Sequence, residues 1–138
     1  MGESTTVKRL MGAVLEDGRW VMKEIDADFR SLQAHVGGLI ELIPLVVESA
    51  ENLVSVFGND EARLLEMEPS ACRMWDDGTI ADVIVGPLVA LGGVDKEGES
   101  LGITPEGFAL LNRGMVPIVP AAGPARHSYD MEVRISSW

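Results

Sequence analysis

One cysteine, Cys72, and two histidines are the only thiol and imidazole groups in 138 residues. A lone thiol excludes an internal disulfide framework and a cysteine-based zinc site within one chain, and it suits a reducing cytoplasm. Aromatic residues make up 5%, so the core has to be assembled from Val, Leu, Ile, Ala and seven Met. No apolar run approaches the roughly 18 residues of a membrane-spanning helix. The opening stretch, MGESTTVKRL, has no signal-peptide hydrophobic region. Basic residues are scarce, 11 against 22 acidic, for a net charge of −11. Such a chain repels DNA, RNA and anionic membrane, which excludes direct nucleic-acid binding through the backbone. A basic protein partner, or solubility alone, is the better use of that charge. Neither G-x-G-x-x-G nor a Walker pattern occurs, so a phosphate-cradling loop has nothing to rest on.

What the chain does have is a globular composition, 46% hydrophobic and 24% charged, at a length that suits one core. Fifteen Gly and seven Pro imply short elements and many turns. Asp17-Gly18 between two apolar stretches is the signature of a type I′ hairpin turn. Strands over residues 7–15 and 19–25 would then pair Glu16 with Arg19, Leu15 with Trp20 and Ala13 with Met22. Val14 with Val21 and Leu10 with Ile25 would share the other face. Next, Asp26 or Asp28 can cap a short helix whose Phe29, Leu32 and Val36 repeat at helical spacing. Gly37-Gly38 ends it and lets the chain reverse, a role of punctuation and not of ligand binding.

LIELIPLVV has strand composition, and Pro44, lacking an N–H, calls for a free edge or a bulge there. NLVSVFG is expected as another strand, closed by GNDE as a second hairpin turn. ARLLEME then returns as a strand or a short helical piece, and PSACRMWDDGT is a loop with buried anchors. IADVIVGPLVALGG reads as one largely buried strand bent at Gly86-Pro87. Thr104 as N-cap, Pro105 at the first helical position and Gly114 after the end frame a second helix with Ile103, Phe108 and Leu111 on its apolar side. The order ββ-α-ββ(β)-β-α-β predicts an α+β fold: a small mixed, mostly antiparallel sheet with two short helices, opening in the manner of a β-grasp. Residues 1–114 form the single domain. Residues 115–138 are a Pro-rich C-terminal extension whose alternating Met131, Val133 and Ile135 make an edge strand.

Residues 7–113 resemble the phage and bacterial family catalogued as domain of unknown function 3846. The likeness rests on the hairpin leading into EIDADFRSLQAHVGGLIELIPL, with Leu32, Gln33, Val36-Gly37-Gly38, Ile40-Glu41 and Pro44. It continues through the Asn59-Asp60-Glu61 turn and ADVIVGPLVALGG, with Asp82, Ile84, Gly86 and Pro87, to a polar loop and a short helix. The family's Leu-Pro-x-Asn stretch is replaced here by EMEPSACR, with Pro69 and Ser70, and the tail after Gly114 is extra. The resemblance implies a small phage-associated accessory protein and carries no catalytic residue to transfer.

Candidate chemistry is thin. His35 stands beside the helix stripe, and its only imidazole partner in the sequence, His127, lies in the Pro-rich tail, so a plain helix-end histidine is expected. Cys72 with His127 has the residue types of a nucleophile and base but no supporting pattern. Asp95, Glu97, Glu99 and Glu106 fall at positions 1, 3, 5 and 12 of a calcium loop, but Ser100 stands where Gly is required, which points to a solvated acidic loop. Gly2 and Thr6 fit the loose myristoylation pattern, for which an unstructured start is the plainer reading. Asp82 inside an apolar strand reads as a hydrogen-bond acceptor. Glu41 belongs on the face opposite its neighbours, solvent-facing unless a partner covers it. Trp75 and Trp138 are large anchors, the latter packing a terminal strand or docking on another subunit. The interaction residues expected are therefore Glu41, Trp75 and Trp138, with no catalytic residue, metal or cofactor. The expected function is binding without catalysis, to a host protein in the host cytoplasm, as counter-defence or host takeover. An oligomeric sponge for a small nucleotide signal and an acidic DNA mimic are the alternatives, and free hairpin edges allow homo-oligomers.

Overall fold

The structure, a computed structural model, describes residues 9–47, 53–120 and 131–133. β1 (Arg9–Glu16) and β2 (Arg19–Asp26) form the expected hairpin, with Asp17 in the left-handed region at φ 54°. Its register pairs Leu15 with Trp20, Ala13 with Met22, Val14 with Val21 and Leu10 with Ile25, as the Asp-Gly turn dictates. α1 (Phe29–Val36) is capped by Asp28, whose carboxylate accepts the Ser31 N–H at 3.0 Å. Gly37, at φ 83°, ends it and donates to the Gln33 carbonyl at 2.8 Å. Leu32 and Val36 are buried, but Phe29, expected on the same stripe, is 61% exposed. Burying each of the two aliphatic side chains contributes about 1.5–3 kcal/mol. An eight-residue helix needs that, because it is not stable on propensity alone.

β3 (Ile40–Leu42) is short and stops before Pro44. β4 (Ser55–Asn59) pairs with β3 on one side and β7 (Leu88–Leu91) on the other. GNDE is therefore not a hairpin turn, and residues 60–66 are successive turns, neither strand nor helix. β5 (Pro69–Met74) replaces the expected loop, and β6 (Ile80–Val85) pairs with it. The run expected as one bent strand is thus two strands, and they belong to different sheets. Gly86, at φ 92°, is the switch between them. α2 (Pro105–Gly114) has Thr104 as its cap, accepting the Gly107 N–H at 3.0 Å. β8 (Met115–Pro120) pairs with β5, and β9 (Met131–Val133) pairs with β8 at the sheet's edge. Residues 115–120, expected in the extension, are therefore strand, and Met115 and Val116 are buried.

The strands divide into two sheets, ordered β2-β1-β7-β4-β3 and β6-β5-β8-β9, with every described pairing antiparallel. The strand after α1 does not return beside β1, as a β-grasp start would have it; β7 takes that place and β3 goes to the far edge. The fold is α+β in layers. α1 covers one face of the five-stranded sheet, packing Leu32 and Val36 among Val14, Ile25, Val89 and Leu91. The opposite face buries Ala13, Trp20, Val56 and Ala90 against Ala71, Ile84 and Met115 of the second sheet and Leu111 of α2. Trp20 Nε1 donates to the Met115 carbonyl at 2.8 Å, which ties the first hairpin to the second sheet. A further buried group, Cys72, Met74, Val116 and Ile118, lies on the other face of the second sheet.

Candidate functional site

β3 is the outer strand of one sheet and β6 the outer strand of the other. A cavity of about 320 Å³ opens beside these two edges, lined by Glu41, Pro44, Asp60, Arg63, Arg73 and Asp82 among others. Antiparallel pairing fixes which side chains point into it. Glu41 pairs with Gly58, and Ile43 N–H donates to the Val56 carbonyl at 2.8 Å, so Glu41 shares the face of buried Ile43, toward the second sheet. Ile40 and Leu42 take the α1 side.

Two arginines clasp this mouth crosswise. Arg73, on β5, grips both oxygens of Asp82 on β6, Nε to Oδ1 at 2.8 Å and Nη2 to Oδ2 at 3.0 Å. Its Nη1 donates to the Pro44 carbonyl beyond β3, also at 2.8 Å. Arg63 reaches the other way, from the turns after β4 to the Val83 carbonyl of β6, at 2.8 Å. Planar guanidinium groups suit such bidentate and carbonyl contacts.

Glu41 and Asp60 lie beside them. The Glu41 carboxyl is held above its ordinary range, first by burial, then by the negative charge of Asp60 and a hydrogen bond to its side chain. Neither carboxyl has an ion-pair partner among the described residues. Two exposed leucines line the same cleft, Leu64 at 83% and Leu42 at 60%. The arrangement offers two adjacent carboxyls without a cation, next to apolar surface.

Of the interaction residues expected from sequence, Glu41 lies in this cleft. Trp75 is half exposed at the start of the turn between β5 and β6 and is not among the cleft's lining residues. Trp138 lies outside the described residues, as do His127, Gly2 and Thr6. His35 is exposed in the last turn of α1. The Cys72 thiol is buried and pushed up, which is the reverse of an activated nucleophile. Asp95 accepts the Glu97 and Glu99 N–H groups, both at 2.9 Å, within its own loop. Among the described residues no three or more His, Cys, Asp or Glu are placed to hold a metal ion. None of their helices is long and apolar enough to cross a membrane.

Sequence reasoning missed Arg63 and Arg73 as site residues, and used Asn59 and Asp60 only as turn residues. A family model described as a domain of unknown function, DUF3846, matches residues 11–113. The chain belongs to that family. The cleft residues Glu41, Asp60, Arg63, Arg73 and Asp82 all fall inside the matched stretch, whereas β8, at the heart of the second sheet, lies beyond it. No curated protein and no solved structure matches the chain.

Proposed function

We propose that this DUF3846 protein acts by binding another protein, without catalysis, at the mouth between its two sheets. The observation that carries this reading is the Glu41–Asp60 carboxyl pair, without an ion-pair partner among the described residues, in a cleft that exposed Leu42 and Leu64 also line. Exposed apolar surface rimmed by polar groups is what protein interfaces use. Arg63 and Arg73 hold the walls of the cleft, so a partner meets a preformed surface and little ordering cost. The charge of −11 steers basic partners and repels nucleic acid and anionic membrane. If the chain is phage-encoded, as its family resemblance implies, the partner is a host protein in the host cytoplasm.

The test is affinity capture from host cells with the wild-type chain and a Leu64→Asp variant. Leu64 is so exposed that its replacement leaves the fold intact. A host protein held by the wild type, lost with Leu64→Asp and bound again after purification supports the reading. An identical captured set with both chains removes the cleft as the interface.

A further inference from the structure

The two sheet edges at the mouth are not equally open. On β6 the Val83 carbonyl is occupied by Arg63. On β3, the Leu39 carbonyl accepts the Asp60 N–H and the Ile43 N–H donates to Val56, so both face inward to β4. Alternation along an antiparallel strand then turns the N–H and C=O of Ile40 and Leu42 outward. No described strand pairs with them, because β3 ends its sheet. The next outward residue, Pro44, has no N–H, and its carbonyl is taken by Arg73. The open edge is therefore short and closed at its C-terminal end.

A strand laid on this edge has its side chains dictated. A residue beside Glu41 points to the same face, into the mouth, where the carboxyl pair lacks a cation. Its neighbours in sequence point to the other face, beside exposed Leu42. The structure assigns a specific occupant: an extended segment of a partner protein that alternates basic and apolar residues, adds to β3 as a new edge strand, and seats a lysine or arginine against Glu41 and Asp60. This rests on the protein-binding reading above and names the chemistry of the partner. Main-chain pairing supplies affinity in such strand addition, and alternate side chains supply specificity. The carboxyl pair favours a cationic residue and opposes an acidic one, which would add a third like charge.

The experiment is fluorescence anisotropy with a labelled, end-capped nonapeptide of alternating lysine and valine. Three chains are compared: wild type, the double variant Glu41→Gln with Asp60→Asn, and Glu97→Gln on the distant acidic loop. A second peptide carries N-methyl groups on alternate amides. Expected are saturable binding to the wild type, at least tenfold weaker binding to the double variant, unchanged binding to Glu97→Gln, and loss of binding on methylation. Circular dichroism on the double variant confirms the fold, and Glu41→Lys gives a stronger loss by charge reversal.

Equal weakening by both variants overturns the proposal, since it reports only attraction to a chain of charge −11. Unchanged binding of the methylated peptide removes strand addition, and absence of saturable binding removes the basic occupant. A doubled mass in light scattering that Glu41→Gln abolishes makes the occupant a second copy of this chain. A host protein that depends on Leu64 but does not compete with the peptide leaves protein binding standing while this inference fails. If no Leu64-dependent protein is captured either, both fall.

Discussion

The side-chain amide of Asn59 donates to the Val36 carbonyl at 3.0 Å, joining the end of β4 to the end of α1 across 23 residues of sequence. Asn59 is the one buried polar side chain among the described residues, and its Oδ1 accepts the Glu61 N–H at 2.7 Å. Gly38 makes room for it: a Cβ there would lie 3.1 Å from Asn59 Nδ2. Asn59 therefore holds α1 and the turns that carry Asp60 and Arg63 in one arrangement. Asn59→Ala leaves the Val36 carbonyl and Glu61 N–H unpaired and is expected to destabilise by about 2–3 kcal/mol. Asn59→Asp is expected to be worse, because it cannot donate and buries a charge. Urea unfolding with an unchanged slope and a lower midpoint is the check; a midpoint equal to wild type for Asn59→Ala sinks the account.

Gly86 hands the chain from one sheet to the other. Its φ of 92° disfavours a side chain, and a Cβ would stand 2.8 Å from the Cβ of Ala62 and 3.1 Å from Met67 Sδ. Gly86→Ala combines backbone strain with overpacking, each worth about 1–2 kcal/mol. Calorimetry is expected to show a loss of about 2–4 kcal/mol. Adding Ala62→Gly relieves only the packing part, so a double-mutant cycle separates the two. Additivity of the two substitutions is the result that removes the contact.

The hairpin register was legible because Asp17-Gly18 fixes the count: each observed pair sums to 35 about that turn, as Ala13 with Met22 does. An Asp-Gly pair also stands at Asp77-Gly78, but there the register shifts at a bulge between Arg73 and Met74. Met74 with Ile80, nearest the turn, sums to 154, and only beyond the bulge do Ala71 with Ile84, Cys72 with Val83 and Arg73 with Asp82 sum to 155. The Asp-Gly pair would have found the second hairpin, whereas the facing of Arg73 and Asp82 depends on the bulge. That hairpin went unread because Ser70, Ala71, Cys72 and Arg73 have little strand propensity; β5 is made a strand by pairing on both sides, with β6 and β8. Helix caps at Asp28, Gly37 and Thr104 were local signals and were readable. The division of the chain between two sheets was not, because Gly86-Pro87 reads the same for a bend as for a change of sheet. Glu41 was placed on the right face of β3, but its neighbourhood with Asp60 depends on which edge β3 occupies, and no local pattern states that.

Arg73 is the fulcrum of the clasp, since one guanidinium joins Asp82 to the Pro44 carbonyl. It is the more enclosed partner, with 22% of its side chain exposed against 40% for Asp82. Asp82→Ala removes two charge-assisted bonds and leaves Arg73 only the carbonyl, at an expected loss of about 1–2 kcal/mol after allowance for solvent. Arg73→Lys is expected to lose nearly as much, because an ammonium cannot hold a carboxylate bidentately and reach Pro44 as well. Amide exchange should accelerate in both variants at Ile43, whose N–H is bonded to the Val56 carbonyl. Protection there equal to wild type would show that the clasp does not hold the two edges.

Glu41 is expected to trade stability for binding. Its carboxyl is raised in the fold by burial, by the charge of Asp60 and by their hydrogen bond. A folded pKa above the unfolded one means that the native state binds the proton more tightly, so the ionised group opposes folding at neutral pH. That opposition fades as the pH falls through the folded pKa and is gone below the ordinary value of 4.5. Glu41→Gln removes the charge and should therefore stabilise the protein at pH 7, by no more than about 0.5 kcal/mol because the group is largely solvated. Below the ordinary range, where the wild-type carboxyl is already neutral, the two chains should converge. Thermal unfolding of both across that range is the measurement. A variant less stable than wild type at pH 7, or an advantage that does not change with pH, would mean that Glu41 serves the fold and not a partner. A pH-dependent gain together with weaker peptide binding would mark it as a group kept for what it meets.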